Sequence, residues 1–346
     1  MDLLIIDLLI FLIVSCNSWV GHSQDIFDVL KYGAKGDGRS NDTQAFGRAW
    51  NDLCESNQST VTLVIPAKNT FLLQPTSFKG PCKSQNVNIK IEGTLLAPKR
   101  EEWAICTKRW LHFVGVRSIS LTGSGEIDGQ GYDWWGVALQ FERCDNLKIT
   151  GTTHKNGPGW HIHIFHSNDV TITNVTINAP PKSHNTDGID LLNSARITIV
   201  NSHISSGDDC VAVKGGTQFV NIDHITCGVA NHGISVGSLG QGGLRESVEH
   251  LNVSNCIFNG GTSGVKIKTW PDIAVKVVNI TFNNIHGTSL NENTIMMDCA
   301  KIGCDNITLN DINIVSIDPK KPASSTCKNV KGTATKVISP HVPCLS

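Results

Sequence analysis

Four short motifs in the middle of the chain carry residues that could do chemistry. They are NTDG at 185–188, GDDC at 207–210, NHG at 231–233 and KIK at 266–268. Asp187, Asp208, His232 and Lys266 therefore follow one another at intervals of 21, 24 and 34 residues, each about one coil of a repeat. Charged residues that return in this way are informative, because a structural repeat of matching length would bring them to one strip of the surface.

The carboxylates Asp187, Asp208 and Asp209 could act together. Carboxylates close together repel one another, so the pKa of at least one should rise. A protonated acid beside ionised bases is what cleavage of a glycosidic bond requires. The alternative is structural, because Asp is common in turns beside glycines such as Gly188 and Gly207. Asp208 and Asp209 would point to opposite faces of a regular strand, but a bulge next to Gly207 could turn both outward.

The remaining polar candidates are a histidine and two lysines. His232 alone would be read as structural, since the chain contains 13 histidines. Lys266 and Lys268 flank Ile267, so in a strand both face the same side and form a positive pair suited to a carboxylate. A solvated strand edge is the alternative for this pair.

A repeat positions these motifs. From residue 140 onward, a polar residue leads repeatedly into alternating β-branched or apolar residues, as in NDVTITNVTI at 168–177 and VVNITFNNI at 277–285. Short alternating units predict strands rather than helices, and the L-x-x-L-x-L pattern of leucine-rich repeats is absent. A parallel β-helix remains, with Asn and Gly at its corners. The equivalent apolar positions, one per repeat, are Ile149, Ile172, Ile199, Ile222, Val253, Ile280 and Leu309.

The N-terminal segment fits the start of such a solenoid. The run from Phe27 to Phe46 reads as a strand, a Gly/Asp turn and an amphipathic helix over 44–53, with Asp42 or Thr43 as the N-cap. This helix would cover the open end of the solenoid. We find no linker, so the predicted fold is all-β: one right-handed parallel β-helix domain over 24–346 with a short N-terminal capping helix.

Composition excludes some classes of partner. Lys+Arg total 29 and Asp+Glu 30 in 346 residues, which gives a net charge of −1. A chain-wide basic surface for nucleic acid is therefore excluded, whereas a local basic patch for an acidic polymer is not. None of the Cys and His spacings is typical of a zinc site, and we expect no metal or cofactor.

The segment 1–23 reads as a secretory signal peptide. An apolar stretch over 3–14 is too short to span a membrane and is followed by small polar residues, which favours cleavage near Ser18 or Ser23. No Lys or Arg precedes it, so a poorly formed anchor is the alternative. Twelve cysteines and six N-x-S/T sequons agree with an oxidising, extracytoplasmic compartment.

The four motifs, in this order, together with FDVLKYGAKGDG at 27–38, GSGEIDGQGYDWW at 123–135 and HIHI at 161–164, resemble the plant polygalacturonases of the pectin-degrading glycoside hydrolases. The C-terminal CKNVKGTATK at 327–336 resembles the exo-acting, pollen-type members. The resemblance implies a monomeric extracellular cell-wall enzyme that inverts the anomeric centre of polygalacturonan without metal or cofactor.

The resemblance also implies roles for individual residues. Asp208 would be the general acid, while Asp187 and Asp209 would hold and activate the attacking water. His232 would support the proton state of the acid. The residues that would bind galacturonate are Lys266, Lys268, Asn185 and Asn231.

The chain departs from the family pattern in several places. Lys266 stands where the family has arginine, and Asn231 where it has glycine. After KIKTWPD at 266–272 a coil with a substrate-binding tyrosine has no counterpart, since the only tyrosines are Tyr32 and Tyr132. Residues are also missing after Trp135. Three readings stay open: a polygalacturonan hydrolase, a pectin-binding relative with little or no catalysis, and a hydrolase of a substituted pectin such as rhamnogalacturonan.

The same resemblance suggests disulfides. The pair Cys210–Cys227 flanks the catalytic coil and matches a family pair, and the other pairs expected are Cys299–Cys304, Cys327–Cys344 and Cys54–Cys82. Three cysteines, Cys106, Cys144 and Cys256, are expected to be buried thiols.

Overall fold

The computed structural model describes residues 24–103, 108–131, 136–230, 232–271, 275–336 and 339–345. The signal-peptide prediction for residues 1–23 lies outside these ranges. So do Asn231, Cys106 and Tyr132.

The described chain forms one α-helix and a long series of short strands. The helix is α1 (Thr43–Glu55), and 3-10 turns occur at Val29–Tyr32, Arg100–Glu102 and Gln241–Gly243. The strands are β1 (Gln24–Asp28), β2 (Asp37–Asn41), β3 (Thr60–Ile65), β4 (Thr70–Leu72), β5 (Thr76–Lys79), β6 (Asn86–Ile91), β7 (Thr94–Leu96), β8 (Arg109–Val114), β9 (Ile119–Thr122), β10 (Glu126–Asp128), β11 (Val137–Glu142), β12 (Leu147–Thr150), β13 (Thr153–Lys155), β14 (Trp160–Phe165), β15 (Asn168–Thr173), β16 (Thr176–Asn178), β17 (Ile189–Leu192), β18 (Ala195–Ser205), β19 (Asp209–Val213), β20 (Thr217–Cys227), β21 (His232–Leu239), β22 (Ser247–Gly261), β23 (Ser263–Thr269), β24 (Lys276–Ser289), β25 (Asn293–Asp298), β26 (Cys304–Ser316), β27 (Ser324–Lys328) and β28 (Val330–Thr335).

These strands form a parallel β-solenoid, as predicted. Ten of them stack as one sheet in the order β27-β25-β23-β21-β19-β17-β14-β11-β8-β5, which we call the groove sheet, and the other eighteen form the second sheet. Each groove-sheet strand lies one coil from the next, and the pairings are parallel. No helix in the described ranges is long and apolar enough to cross a membrane.

One column of apolar side chains runs through the core and corrects a detail of the repeat alignment. The register pairs Ile199 with Ile222 and Ile222 with Val253, as expected. Val253 then pairs with Phe282, and Phe282 with Leu309, so Ile280 does not belong to this column. Ile280 is two residues away on the same face and is equally buried. The sequence alignment favoured a β-branched residue and therefore selected Ile280. In the structure this position of the column is occupied by the aromatic ring of Phe282.

Helix α1 closes one end of the solenoid and is slightly longer than predicted. Its apolar face is buried, and the ring of Trp50 lies 5.2 Å from that of Phe78, edge to face. Asp42 is the N-cap residue, but its side chain does not cap the helix. Its carboxylate instead accepts hydrogen bonds from the backbone N–H groups of Lys35 and Gly36, at 2.7 and 3.1 Å. The carboxylate of Asp42 is therefore bound to the Gly/Asp turn and does not cap the N-terminus of α1.

The four expected disulfides are present: Cys54–Cys82, Cys210–Cys227, Cys299–Cys304 and Cys327–Cys344. Cys144 and Cys256 are buried thiols. Cys54 lies in α1, so its disulfide fastens the capping helix to the chain just after β5. Asn residues occupy many corners with positive φ, among them Asn146, Asn174, Asn201 and Asn255, as the repeat predicted.

Candidate active site

The outer face of the groove sheet carries a continuous column of side chains. Alternate residues such as Ile189, Val211 and Ile234 point into the core and are fully buried. The residues between them stand in register from coil to coil, so the column crosses the molecule along the solenoid axis. Its members are Ser77, His112, Gln140, His163, Asp190, Ala212, Ser235, Lys266, Met296 and Thr326. The sequence motifs lie on or beside this column at its middle.

Asp208, Asp209 and His232 meet in one cluster. Asp209 faces His232 directly in the register of β19 and β21. Nδ1 of His232 lies 2.6 Å from Oδ1 of Asp209 and 3.5 Å from Oδ1 of Asp208. Both carboxylates therefore reach one ring, as expected if the segment after Gly207 departs from regular strand geometry. Asp209 is nearly buried, while Asp208 is more open to solvent.

The backbone around this cluster is held by the loop that carries the NTDG motif. Thr186 accepts a hydrogen bond from the N–H of Gly207 at 2.9 Å. The hydroxyl of Ser206 donates to the carbonyls of Asp208 and Asp209 at 3.1 Å each. A Cβ atom at Gly207 would lie 1.9 Å from the carbonyl oxygen of Ser183, so a larger residue would push the two loops apart. Glycine at this position lets the segment that carries the carboxylates pack against the loop of the preceding coil.

Asp187 lies beside this cluster and is buried with two further charged residues. Asp190 is fully buried, and its carboxylate forms an ion pair with Nζ of Lys214. The same Nζ lies 3.8 Å from Oδ2 of Asp187 and 4.0 Å from the ring centroid of Trp160. Oδ1 of Asp187 has no hydrogen-bond partner among the described residues. The ammonium of Lys214 thus lies close to two buried carboxyl groups, those of Asp187 and Asp190.

Burial decides the electrostatics of these carboxyl groups. It raises the pKa of Asp187 well above its usual value, and the charges of Asp190 and Asp209 raise it further, while Lys214 lowers it. Burial likewise raises the pKa of Asp190 to about 6, against the opposing effect of Lys214. At least one raised carboxyl pKa was expected. It falls on the most deeply buried carboxyl groups, because desolvation outweighs repulsion between neighbours.

In His232, in contrast to these carboxyl groups, the surroundings favour the charged form. Burial lowers its pKa, but the hydrogen bonds to Asp208 and Asp209 outweigh burial, so the pKa is raised overall. Nζ of Lys266 lies 3.3 Å from both ring nitrogens and opposes this effect. His232 is therefore the positively charged partner of two carboxylates in mildly acidic solution.

The two lysines lie on the same side of β23, as predicted, but their register differs from the expectation. Lys266 pairs with Ser235, three residues beyond His232, whereas His232 pairs with Ser263. The motif spacing therefore does not place Lys266 directly above the histidine. Its long side chain bridges the offset and reaches the ring. Lys268 lies at the exposed end of the strand, in register with Asp298 of the next coil.

Asn185 lies at the rim of a cavity on the other side of the acidic cluster. The cavity has a volume of about 300 Å³. Its walls are an aromatic ring, a cation, an amide and backbone, contributed by Lys108, Gly136, Val137, Gly159, Trp160 and Asn185. An aromatic surface beside a cation and an amide suits a sugar acid. Asn231, the other asparagine predicted to bind substrate, lies outside the described residues.

Sequence reasoning missed the residues that surround Asp187. Asp190 follows Asp187 by three residues in NTDGID, and Lys214 comes directly after β19, the strand that begins within GDDC. The step from Asp190 to Lys214 equals the step from Asp208 to His232, so the coil spacing could have identified this pair. Trp160 could have been found from its place before HIHI.

Asp208, Asp209 and His232 are also the group whose spacing could hold a metal ion among the described residues, with one ligand atom from each within 4.8 Å of the others. The ammonium of Lys266 already touches the imidazole ring. A positive charge at this distance would repel a bound cation. The arrangement suits proton transfer better than metal binding.

Comparison with known proteins agrees with this geometry. The sequence matches the family described as Glycosyl hydrolases family 28 over residues 54–274 and 270–339. A tomato (Solanum lycopersicum) polygalacturonase-2 is 33% identical over 92% of this chain and 81% of its own length. An exopolygalacturonase of Platanus acerifolia is 30% identical over 94% of this chain and 99% of its own length.

A protein of Arabidopsis thaliana described as a probable polygalacturonase is 37% identical over 93% of this chain and 81% of its own length. That alignment spans 373 positions, more than the 346 residues present, so it includes positions at which this chain has no residue. The two matched stretches of the family meet at 270–274, where the sequence pattern predicted a missing coil.

Among solved structures, the endo-xylogalacturonan hydrolase of Aspergillus tubingensis superposes with a TM-score of 0.69 at 20% identity, covering 92% of this chain and all of that one. This likeness supports the solenoid fold. The family match over most of the sequence, together with plant relatives at 37% and 33% identity, shows that the chain belongs to glycosyl hydrolases family 28.

Proposed function

We propose that this protein is a secreted hydrolase of the α-1,4-galacturonosidic bonds of polygalacturonan, acting with inversion through carboxylate acid and base groups. The observation that carries the proposal is the cluster in which Asp208 and Asp209 share one histidine beside the buried Asp187. The polygalacturonase names of the plant relatives support the choice of substrate.

In this proposal Asp208 is the general acid. It is the more accessible carboxyl group of the pair, so it can reach a glycosidic oxygen in the groove. Asp209 and Asp187 hold and activate the attacking water. The Nδ1–H of His232 donates a hydrogen bond to Asp209. Through this contact the histidine influences which of Asp208 and Asp209 carries a proton.

The charge distribution of the groove suits a polyanion. Lys266 and Lys268 lie on the C-terminal side of the acidic cluster, and Lys108 lies on the N-terminal side beside Trp160. Cations on both sides can bind the carboxylates of successive galacturonate units. The catalytic carboxyl groups between them would then face a bond within the bound segment.

Residues 1–23 would direct the chain to the secretory pathway and be removed. The four disulfides of the fold suit an oxidising compartment. We propose that the mature enzyme is a monomer in the cell wall.

A second candidate is a pectin-binding relative with weak or no catalysis. The observation that favours it is the short connection, 270–275, between β23 and β24, at the place where the family match breaks. The coil after Lys266 carries Met296 in register, a side chain that offers no charge or hydroxyl to a sugar acid.

The decisive experiment measures release of reducing ends from polygalacturonic acid by the purified secreted protein, with Asp208→Asn as the matched control. Hydrolysis by the wild type alone supports the first candidate. Saturable binding to polygalacturonic acid by both proteins, with no hydrolysis by either, would establish the second. Proton NMR of the first product formed gives its anomeric configuration and tests inversion.

A further inference from the structure

Lys214 and Asp190, the two charged residues beside Asp187, have no part in the proposed roles. Asp190 is completely buried, and the ammonium of Lys214 is mostly buried. Burying an ion pair is costly unless both charges are compensated. The pair lies directly beside a carboxyl group that must change its interaction with water during the reaction.

We propose that Lys214 is a positioning residue, paired with the buried Asp190, which favours the ionised form of the neighbouring Asp187 so that it can act as a base. The role of Lys214 in turnover rests on the proposed hydrolase function. The protonation of Asp187 can be measured without turnover.

The contacts of Lys214 carry the argument. Its Nζ is paired with Asp190, lies 3.8 Å from Oδ2 of Asp187 and lies over the ring of Trp160 at 4.0 Å. The aromatic face favours the cationic form and limits where the ammonium can move. Burial alone would lower the pKa of Lys214, but the charges of Asp190 and Asp187 outweigh burial and raise it, so the lysine stays protonated.

Burial and the neighbouring carboxylates raise the pKa of Asp187, and Lys214 is the cation that offsets their effect. On the side of β19 and β21, Asp209 and Asp208 add negative charge, and His232 is bound to those two carboxylates. On the side of β14, burial lowers the pKa of His161 to about 4 and that of His163 to about 3, so both are neutral at the pH of a cell wall. His161 accepts from Gly157 at Nε2 and donates from Nδ1 to the carbonyl of Asp187, not to its carboxylate.

Two substitutions should move the pKa of Asp187 in opposite directions. Lys214→Met removes the cation and leaves two buried carboxyl groups side by side, so the pKa of Asp187 should rise by about 1 pH unit or more. Asp190→Asn removes a negative neighbour and leaves the lysine to Asp187 alone, so the pKa should fall. Lys214→Arg keeps the charge and should leave it near the wild-type value.

The experiment has two readouts. The first is the acid limb of kcat/KM against pH on oligogalacturonates, which should shift up in Lys214→Met and down in Asp190→Asn. The second is the 13C titration of the Asp187 carboxyl carbon in protein labelled with 13C-aspartate, assigned from the spectrum of Asp187→Asn. Lys276→Met, which breaks the exposed Lys276–Glu249 ion pair on the second sheet, is the matched control and should shift neither.

The outcomes separate the two proposals. If the wild type does not hydrolyse oligogalacturonates, the proposed function fails, while the carbon titration still tests Lys214. If both substitutions leave the Asp187 titration unchanged, or move it in the same direction, Lys214 has only a structural role and the inference is wrong. Should Lys214→Met not fold, Lys214→Gln, which also removes the charge, takes its place in both readouts.

Discussion

Nδ1 of His232 lies 2.6 Å from Oδ1 of Asp209, and the two residues face each other in the parallel register of adjacent coils. The contact adds a side-chain link to two strands that also share backbone hydrogen bonds. It gives the histidine a proton-dependent share in the stability of the fold, because the interaction is strongest when the ring is charged.

That contact leads to a prediction about pH and stability. The pKa of His232 is raised in the folded state, so its stabilising effect is complete below the ordinary value of 6.5 and is lost as the pH rises through the raised value. We expect His232→Gln to lower the free energy of unfolding more at pH 5 than at pH 8. Urea titrations at both pH values measure the difference. An equal loss at both would contradict a charged histidine.

Asp208→Asn should lower hydrolysis at least ~10²-fold and leave the fold intact, because an amide cannot donate the proton that the leaving oxygen needs. Reducing-end release measures the rate, and circular dichroism checks the fold. The conservative change Asp298→Asn, at an exposed carboxylate three coils away, is the control and should keep most activity. Near-normal activity in Asp208→Asn would mean that another group is the acid.

Lys266→Arg should raise kcat/KM on oligogalacturonates about 10-fold, or ~1.4 kcal/mol, because a guanidinium can hold a carboxylate with two parallel hydrogen bonds. Lys266 already contacts the ring of His232, so the substituted group would start close to the acidic cluster. Unchanged or lower activity would show that the pocket is adapted to lysine, or that the missing coil limits the rate.

Lys108→Met should raise KM for polygalacturonan by about 2- to 5-fold with little change in kcat, the size of effect typical of one exposed charge. The residue is exposed at the rim of the cavity beside Trp160, so its charge acts on binding. Raising the salt concentration should make the KM values of the wild type and of Lys108→Met converge, since salt screens exposed charges. A lower kcat with unchanged KM would place Lys108 in the chemistry instead.

The cysteines give a prediction that needs no activity. A non-reducing peptide map should link Cys210 to Cys227, and in native protein Cys144 and Cys256 should resist alkylation. Burial raises the pKa of the Cys144 thiol to about 11 and that of Cys256 to about 12, so neither is a thiolate at neutral pH. Replacing both Cys210 and Cys227 by Ala should cost about 3 kcal/mol of stability. A free Cys210 would remove the claim.

The sequence predicted the solenoid because each coil repeats the same alternation, and alternation depends only on which face is buried. It placed the core column correctly at six positions and failed at Phe282, where residue type and register disagree. It also named Asp187, Asp208, Asp209 and His232 as site candidates, because those lie in motifs, and the structure places them near one another. It missed Lys214 and Asp190, since a buried ion pair across two coils has no local pattern. Only the coil spacing connects the two.

The two ends of the solenoid are both fastened, and this affects how the molecule would come apart. An inner coil has a neighbour on each side, whereas a terminal coil has one, so fraying normally starts at the ends. Cys54–Cys82 secures the capping helix at one end, and Cys327–Cys344 secures the last residues at the other. While the disulfides hold, the capping helix and the last residues therefore stay attached to their neighbouring coils. Proteolytic cleavage would then begin most readily at an exposed loop, and reducing conditions would loosen both ends of the molecule.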